Sequence, residues 1–158
     1  MRHADAGAAR IFADDNARAL TPAGTRRMAR AARGLRSAAP TLILTSPLVR
    51  AYQTARIVAR TVARARLRVW PALAPGAGAA LQYRLARVRG PRRLVLVGHE
   101  PDLSRLARAL LTHRVDIEFA KGAAALLVFR ASIRPRGARL RWLRGPQQLS
   151  HARRAHIA

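Results

Sequence analysis

The chain has 158 residues, half of them apolar, and no cysteine; that is enough for one domain with a real core, and it excludes disulfides, thiolate nucleophiles and cysteine metal sites. Thirty-one basic residues, of which only Lys121 is lysine, face 7 acidic ones for a formal charge of +24, but the arginines are dispersed and aromatics amount to 4%, a pattern of solvated helix faces more than of a nucleic-acid surface that stacks bases. No apolar run approaches the ~18 residues of a membrane span, and Met1-Arg2-His3-Ala4-Asp5 is no secretory signal, so a cytoplasmic protein is expected.

Arg2-His3 is followed by a polar loop holding Asp5, Asp14, Asp15 and Asn16. Thr21-Pro22 then predicts a helix start, with a hydroxyl to cap it and proline in its first turn. Gly24, Met28, Ala31 and Leu35 recur at i, i+4, i+7 and i+11 as its inward face, and Arg26, Arg27, Arg30 and Arg33 cover the outward one. After Pro40, Thr41 to Thr45 reads as a strand. Ser46-Pro47 again offers a hydroxyl cap, to a helix whose inward face is expected along Leu48, Tyr52, Ala55, Ala59 and Val62. Arg56, Arg60 and Arg64 form a solvated stripe. Arg50 lies off that stripe, in the first turns, near the carboxyl edge of the strand before it. Leu67 to Trp70 is a short strand, Pro71 to Gly78 a loop, and Ala79 to Val88 a modest helix.

Leu94 to Val97 is an unbroken apolar run, the mark of a strand buried on both faces. Gly98-His99-Glu100-Pro101 breaks it, and Leu103, Leu106 and Leu110 carry the stripe of a packed helix. His99 therefore stands where a parallel strand meets a helix N-terminus, the edge at which open α/β sheets bind ligands. His113 reads as surface. Asp116 to Phe119 alternates like an edge strand, and Ala123 to Phe129 with Ala138 to Leu143 predicts a hairpin around Pro135-Arg136-Gly137. Gln147 to Ala158, with His151 and His156, reads as a frayed basic tail, which divides the chain into a domain over 1–145 and a tail over 146–158. Two strand–turn–helix units, with a further helix entry at Thr21, indicate α/β and a largely parallel sheet.

Arg2, His3, Arg50 and His99 converge on one sheet edge in this reading, with Arg18 and Glu100 nearby. Two histidines and an acid could bind a metal, but the arginines would repel a cation. Ser46 lacks a Gly-x-Ser-x-Gly elbow, which argues against serine hydrolysis. Two cations and two imidazoles suit a phosphoryl group, whose oxygens take bidentate arginine contacts.

The blocks Arg2-His3-Ala4-Asp5-Ala6, Leu20-Thr21-Pro22-Ala23-Gly24, Ser46-Pro47-Leu48-Val49-Arg50-Ala51-Tyr52-Gln53-Thr54-Ala55 and Val97-Gly98-His99-Glu100-Pro101-Asp102-Leu103-Ser104 together resemble the histidine phosphatase superfamily. Leu73-Ala74-Pro75-Gly76, Phe119-Ala120-Lys121-Gly122-Ala123 and the short chain look most like its SixA-type phosphohistidine phosphatases. The resemblance implies a three-layer α/β/α sandwich of the phosphoglycerate-mutase-like kind. It implies that His3 is the transiently phosphorylated nucleophile, that Arg2, Arg50 and His99 complete the catalytic set, and that Arg18 reaches the phosphate. It also implies no metal and no cofactor, with phosphohistidine on a phosphotransfer protein as substrate.

Ala4 stands where the family has glycine after Arg-His, and Ala19 where it often has proline. Glu100 and Asp5 are the candidates for a proton donor, which a phosphoramidate needs less than an alkyl phosphate does. The family also carries a core strand before Arg-His, whose place is expected between the strands at 41–45 and 94–97. Its absence predicts a frayed His3 and a compromised chain. Two alternatives accompany the phosphatase reading: a basic module for nucleic acid or an acidic protein, and an inactive truncated relative.

Overall fold

Strands β1 (Leu42–Thr45), β2 (Arg66–Val69) and β3 (Leu94–Val97) form a parallel sheet in the order β2-β1-β3 in the computed structural model of the chain, which describes residues 1–8, 14–62, 65–77, 80–88 and 93–152. Alternation along β1 sends neighbouring side chains to opposite faces. Ile43 enters one core with Met28, Ala31, Ala55 and Val58, while Leu44 enters another with Leu81, Leu85, Leu106 and Leu110. Helices α1 (Pro22–Ala32), α2 (Val49–Thr61) and α5 (Pro146–His151) supply the first layer; α3 (Ala80–Ala86) and α4 (Asp102–Leu110) supply the other. The expected three-layer α/β sandwich is present. Strands β4 (Ala124–Phe129) and β5 (Ala138–Arg144) form the expected antiparallel hairpin. Among the described residues no helix is long and apolar enough to cross a membrane.

Thr21 caps α1, its Oγ1 accepting from Gly24 N at 2.9 Å, and Gly24, Met28, Ala31 and Leu35 are buried as their spacing requires. The arginines expected on the outer face of α1 are exposed.

Four expectations are corrected. Ser46 does not cap α2. The N-cap is Leu48, and the buried face runs along Ala51, Thr54, Ala55, Val58 and Val62, leaving Tyr52 exposed with Arg56 over its ring. The small residues on that face let α2 lie close against the sheet, and its rotation turns Arg50 inward. Arg56 and Arg60 are exposed as expected; Arg64 lies outside the described residues.

Asp116 to Phe119 alternates in burial but pairs with no strand among the described residues. Side chains take up its backbone instead: Arg108 donates to Ile117 O, Arg2 to Phe119 O, and Phe119 N to Glu100. A segment satisfied in this way needs no ladder.

Residues 146–151, expected to fray, form α5, which packs on α1 with Leu149 fully buried. Gly34 is what admits it, because a Cβ there would collide with the Leu149 carbonyl. Residues 153–158 lie outside the described residues.

β1 and β3 pair directly, so residues 1–3 do not sit between them. They line the other edge of β3: Met1 N donates to Leu96 O at 2.8 Å, Gly98 N to Met1 O at 3.2 Å, and His3 N to Gly98 O at 3.1 Å. On their far side Arg2 N donates to Ala123 O, and Gly122 N to His3 O, both at 3.0 Å. The expected fraying is therefore overturned. Met1 is buried, and residues 1–3 bridge the parallel sheet to the segment leading into β4.

Candidate active site

The ladder just described fixes the backbone on both sides of His3. The residue is 6% exposed, and Nδ1 lies 2.7 Å from the carbonyl oxygen of Ala4. A carbonyl can only accept, so Nδ1 carries the proton and the Nε2 lone pair is left for chemistry. Ala4 N donates in turn to Thr54 Oγ1, and that hydroxyl donates to Arg50 O, so α2 holds the loop that orients His3.

His99 follows β3, and its ring centroid lies 5.1 Å from that of His3. Its Nε2 is 2.8 Å from Ser46 Oγ, which already accepts from Leu48 N at 3.3 Å. Assigning the hydroxyl proton to His99 Nε2, its acceptor among the described residues, makes Nδ1 the protonated nitrogen of His99. Ser46, set aside as a nucleophile in the sequence, thus orients the second histidine. Ser46→Ala is expected to lower kcat about ten- to a hundredfold by freeing the imidazole and to cost about 1–3 kcal/mol for the orphaned partners. Turnover and thermal melting together check this, and undiminished kcat would refute the orienting role.

Both imidazoles are held neutral. Burial pushes His3 down to about 4, opposed by the Ala4 carbonyl and reinforced by Arg50, Arg2 and Arg18. Burial pushes His99 down to about 3, with His3 and Arg50 acting the same way and Asp102 and Asp15 opposing. A neutral histidine is the nucleophilic form.

Three guanidiniums lie close enough to His3 to act on its charge, and Arg50 acts on His99 as well. Arg50 projects from the first turn of α2 and is 4% exposed. Arg2 donates from Nη1 to Phe119 O at 2.9 Å, and Arg18 from Nη1 to Gly7 O at 3.4 Å. Among the described residues, Arg2 Nε, Arg18 Nε, Arg50 Nε and His99 Nδ1 are buried without a hydrogen-bond partner, as are Asp102 Oδ1 and Ser104 Oγ in the first turn of α4. Four such orphans around one imidazole would cost several kcal/mol if nothing ever filled them.

The two proton-donor candidates are engaged elsewhere. Asp5 pairs with Lys121 at 2.7 Å and accepts from Thr21 Oγ1; Lys121 holds its carboxyl below the ordinary range. Glu100, expected at the substrate, accepts from Phe119 N at 3.2 Å. Since Phe119 O accepts from Arg2, Glu100 braces the segment that aims Arg2. Sequence reasoning also passed over Asp15, which joins Arg18 Nη2 through Oδ1 and Arg50 Nη2 through Oδ2, each at 2.9 Å. The spacing of Asp15 and Arg18, three apart, was its one visible signal. Gln53 was missed likewise; its Oε1 accepts from Leu20 N at 2.8 Å and ties α2 to the start of α1. On the far side of the site, Asp102 Oδ2 accepts from Gly76 N at 2.8 Å, where a φ of +84° requires glycine. That bond fastens the 73–76 loop to α4.

The model of the histidine phosphatase superfamily (branch 1) matches residues 1–76. An uncharacterised protein of Picosynechococcus is 39% identical over 115 residues, which is 70% of each chain. The fold is similar to that of a Nakamurella multipartitia protein assigned as a phosphohistidine phosphatase SixA, at TM-score 0.78 and 24% identity over 92% of this chain and 93% of that one. It is similar to the protein histidine phosphatase SixA complexed with tungstate, at TM-score 0.75 and 24% identity over 94% and 96%, and to mycobacterial glucosyl-3-phosphoglycerate phosphatase, at 0.63 and 21% over 89% and 94%. At these identities the structures establish the fold alone, whereas the matched family model, set beside the Arg2-His3, Arg50 and His99 geometry, establishes more: the chain belongs to the histidine phosphatase superfamily.

Proposed function

We propose that the chain is a metal-independent phosphatase for phosphohistidine, acting through a phosphorylated His3. The observation that carries this reading is the ring of unpaired donors, Arg2 Nε, Arg18 Nε, Arg50 Nε and His99 Nδ1, around an imidazole whose Nε2 is free. A phosphoryl group offers the oxygens such donors lack. His3 Nε2 attacks phosphorus, the P–N bond to the substrate imidazole breaks, and that imidazole takes a proton from water as it leaves. With Nδ1–H still on the Ala4 carbonyl, phosphorylated His3 is cationic, the form most readily hydrolysed. Water then attacks phosphorus, phosphate departs, and His3 is restored. Charge spread over the equatorial oxygens meets the guanidiniums, fixed in advance.

The substrate class is supported by which acids are spoken for. Asp5 sits on Lys121, Glu100 on the Phe119 amide, Asp15 on two arginines, and Asp102 on the Gly76 amide with Arg105 3.7 Å from its other oxygen, so each of these acids is held by a partner of its own. An imidazole leaves without the acid's proton that an alkoxide needs. Similarity to the SixA folds agrees with a protein-bound phosphohistidine, carried by a phosphotransfer protein, while the glucosyl-3-phosphoglycerate phosphatase marks the competing class. The test compares a phosphohistidine-bearing protein, an aryl phosphate and a sugar phosphate, each with excess chelator. Phosphohistidine should be preferred and chelator should leave its turnover intact. Loss of activity with chelator, or preference for the sugar phosphate, would overturn the proposal.

A further inference from the structure

Asp15 grips Arg50 by the far end of its fork. Its backbone carbonyl accepts from Nη1 at 2.7 Å and its Oδ2 from Nη2 at 2.9 Å, while its Oδ1 holds Arg18 Nη2 at 2.9 Å. One hydrogen of each Arg50 Nη is thereby used. The side edge of the guanidinium remains, Nε–H with the second Nη2 hydrogen, and Nε is buried and unpaired among the described residues, as is Arg18 Nε. That side edge is a two-donor fork of the kind that meets two phosphoryl oxygens. Asp15 is itself fixed, because it opens a short 3-10 turn (Asp15–Ala17) capped by Asp14, whose Oδ1 accepts from Asn16 N at 2.9 Å. Its side chain is 52% exposed, against 5% for Arg50. A surface carboxylate reaches inward to hold a buried arginine.

We propose that Asp15 is the positioning residue of this site, coupling Arg18 and Arg50 so that their Nε edges face the transferred phosphoryl group. The inference rests on the phosphoryl-transfer reading and adds to it a residue that touches neither substrate nor nucleophile. Both carboxylate oxygens are ion-paired, so Asp15 supplies no proton to the reaction. What it supplies is direction. A released guanidinium still attracts a dianion, but it must be reoriented as the charge moves onto the equatorial oxygens. Loss of Asp15 is therefore felt in the transition state more than in the bound ground state. Removing its negative charge also leaves Arg18 and Arg50 uncompensated, which favours ground-state phosphate.

The test binds two anions to wild type, Asp15→Asn and Asp15→Glu: inorganic phosphate for the ground state and orthovanadate for the five-coordinate transition state. Asp15→Asn is expected to weaken vanadate about ten- to a hundredfold while phosphate weakens by less than about threefold or tightens. Asp15→Glu, which keeps a carboxylate, should recover part of the vanadate loss, and kcat should follow vanadate. Thermal melting of each variant reports the fold. If Asp15→Asn shifts both anions by one factor, or shifts neither, the positioning role is wrong. If wild type binds both anions but leaves phosphohistidine untouched, the proposed substrate fails and the ratio of the two anions still decides the role of Asp15. Binding of neither anion by wild type overturns the phosphoryl site and this inference together.

Discussion

Replacing His3 by alanine is expected to lower turnover by at least about a thousandfold, the scale seen when a covalent nucleophile is removed. The ring contributes one hydrogen bond, to the carbonyl of its own neighbour Ala4, and lies outside the apolar clusters, so the fold should survive the change. Wild type quenched in alkali during turnover of a labelled substrate should carry phosphate that is stable to base and lost in acid, as a phosphorylated imidazole is. His3→Ala should carry none. His99→Ala should still take up label while turning over slowly, since in the proposed mechanism His99 donates to the phosphoryl group and does not bond to phosphorus. Retention of label by His3→Ala would move the nucleophile to another residue, and His99 would be the first to examine.

Acid should disable the protein in two ways. Protonation of His3, whose value is pushed down to about 4, removes the nucleophile, so kcat/KM should fall tenfold per pH unit below that point. Stability falls earlier. In the unfolded chain both histidines titrate near 6.5, whereas in the fold they resist the proton until about 4 and about 3. Between those limits the unfolded state binds more protons than the native one, and stability rises with pH there. The contribution of the two neutral imidazoles is complete above about 6.5 and is lost as pH falls towards 3, on the order of 3 kcal/mol for His3 and 5 kcal/mol for His99. Chemical denaturation at pH 7, 5.5 and 4.5 should give steadily lower midpoints. His99→Gln, which cannot take up the proton, should flatten that slope. A slope unchanged in this variant would show that His99 is not held neutral by the fold.

The charge of +24 has a local consequence that the site makes visible. Asp5, Asp15, Asp102 and Asp116 are each engaged by a cation, and the outer arginines of α1 have no acid on their own helix. An excess of cations at the surface raises the local concentration of anionic substrates and does so in a salt-dependent way.

Much of the fold was legible because its elements are short and locally determined. The Leu94–Val97 run formed its strand, with Val97 buried and Leu94, Val95 and Leu96 half-buried where full burial was expected; Thr21-Pro22 started a helix, and Leu103, Leu106 and Leu110 marked the buried face of α4. Arg2, His3, Arg50 and His99 were legible too, as polar residues delivered to the carboxyl edge of the sheet by these units. The inward face of α2 was not. Period counting put Tyr52 inside, but the requirement to bury Arg50 and Thr54 with partners rotated the helix, and that requirement comes from residues as distant as Ala4 and Asp15.

The sequence by itself thus determined the class of fold, the family and the residues that meet at the candidate site, since these follow from strand–turn–helix units and a few motif blocks. Tertiary structure alone decided how those residues are aimed. Which nitrogen of His99 holds its proton depends on Ser46, 53 positions away; where Arg2 points depends on a carbonyl at Phe119, 117 positions away; and Arg50 is turned by a carboxylate 35 positions before it. Hydrogen bonds of that span leave no period in a chain, because each is made only when independently folded units dock and bring a donor within 3 Å of an acceptor.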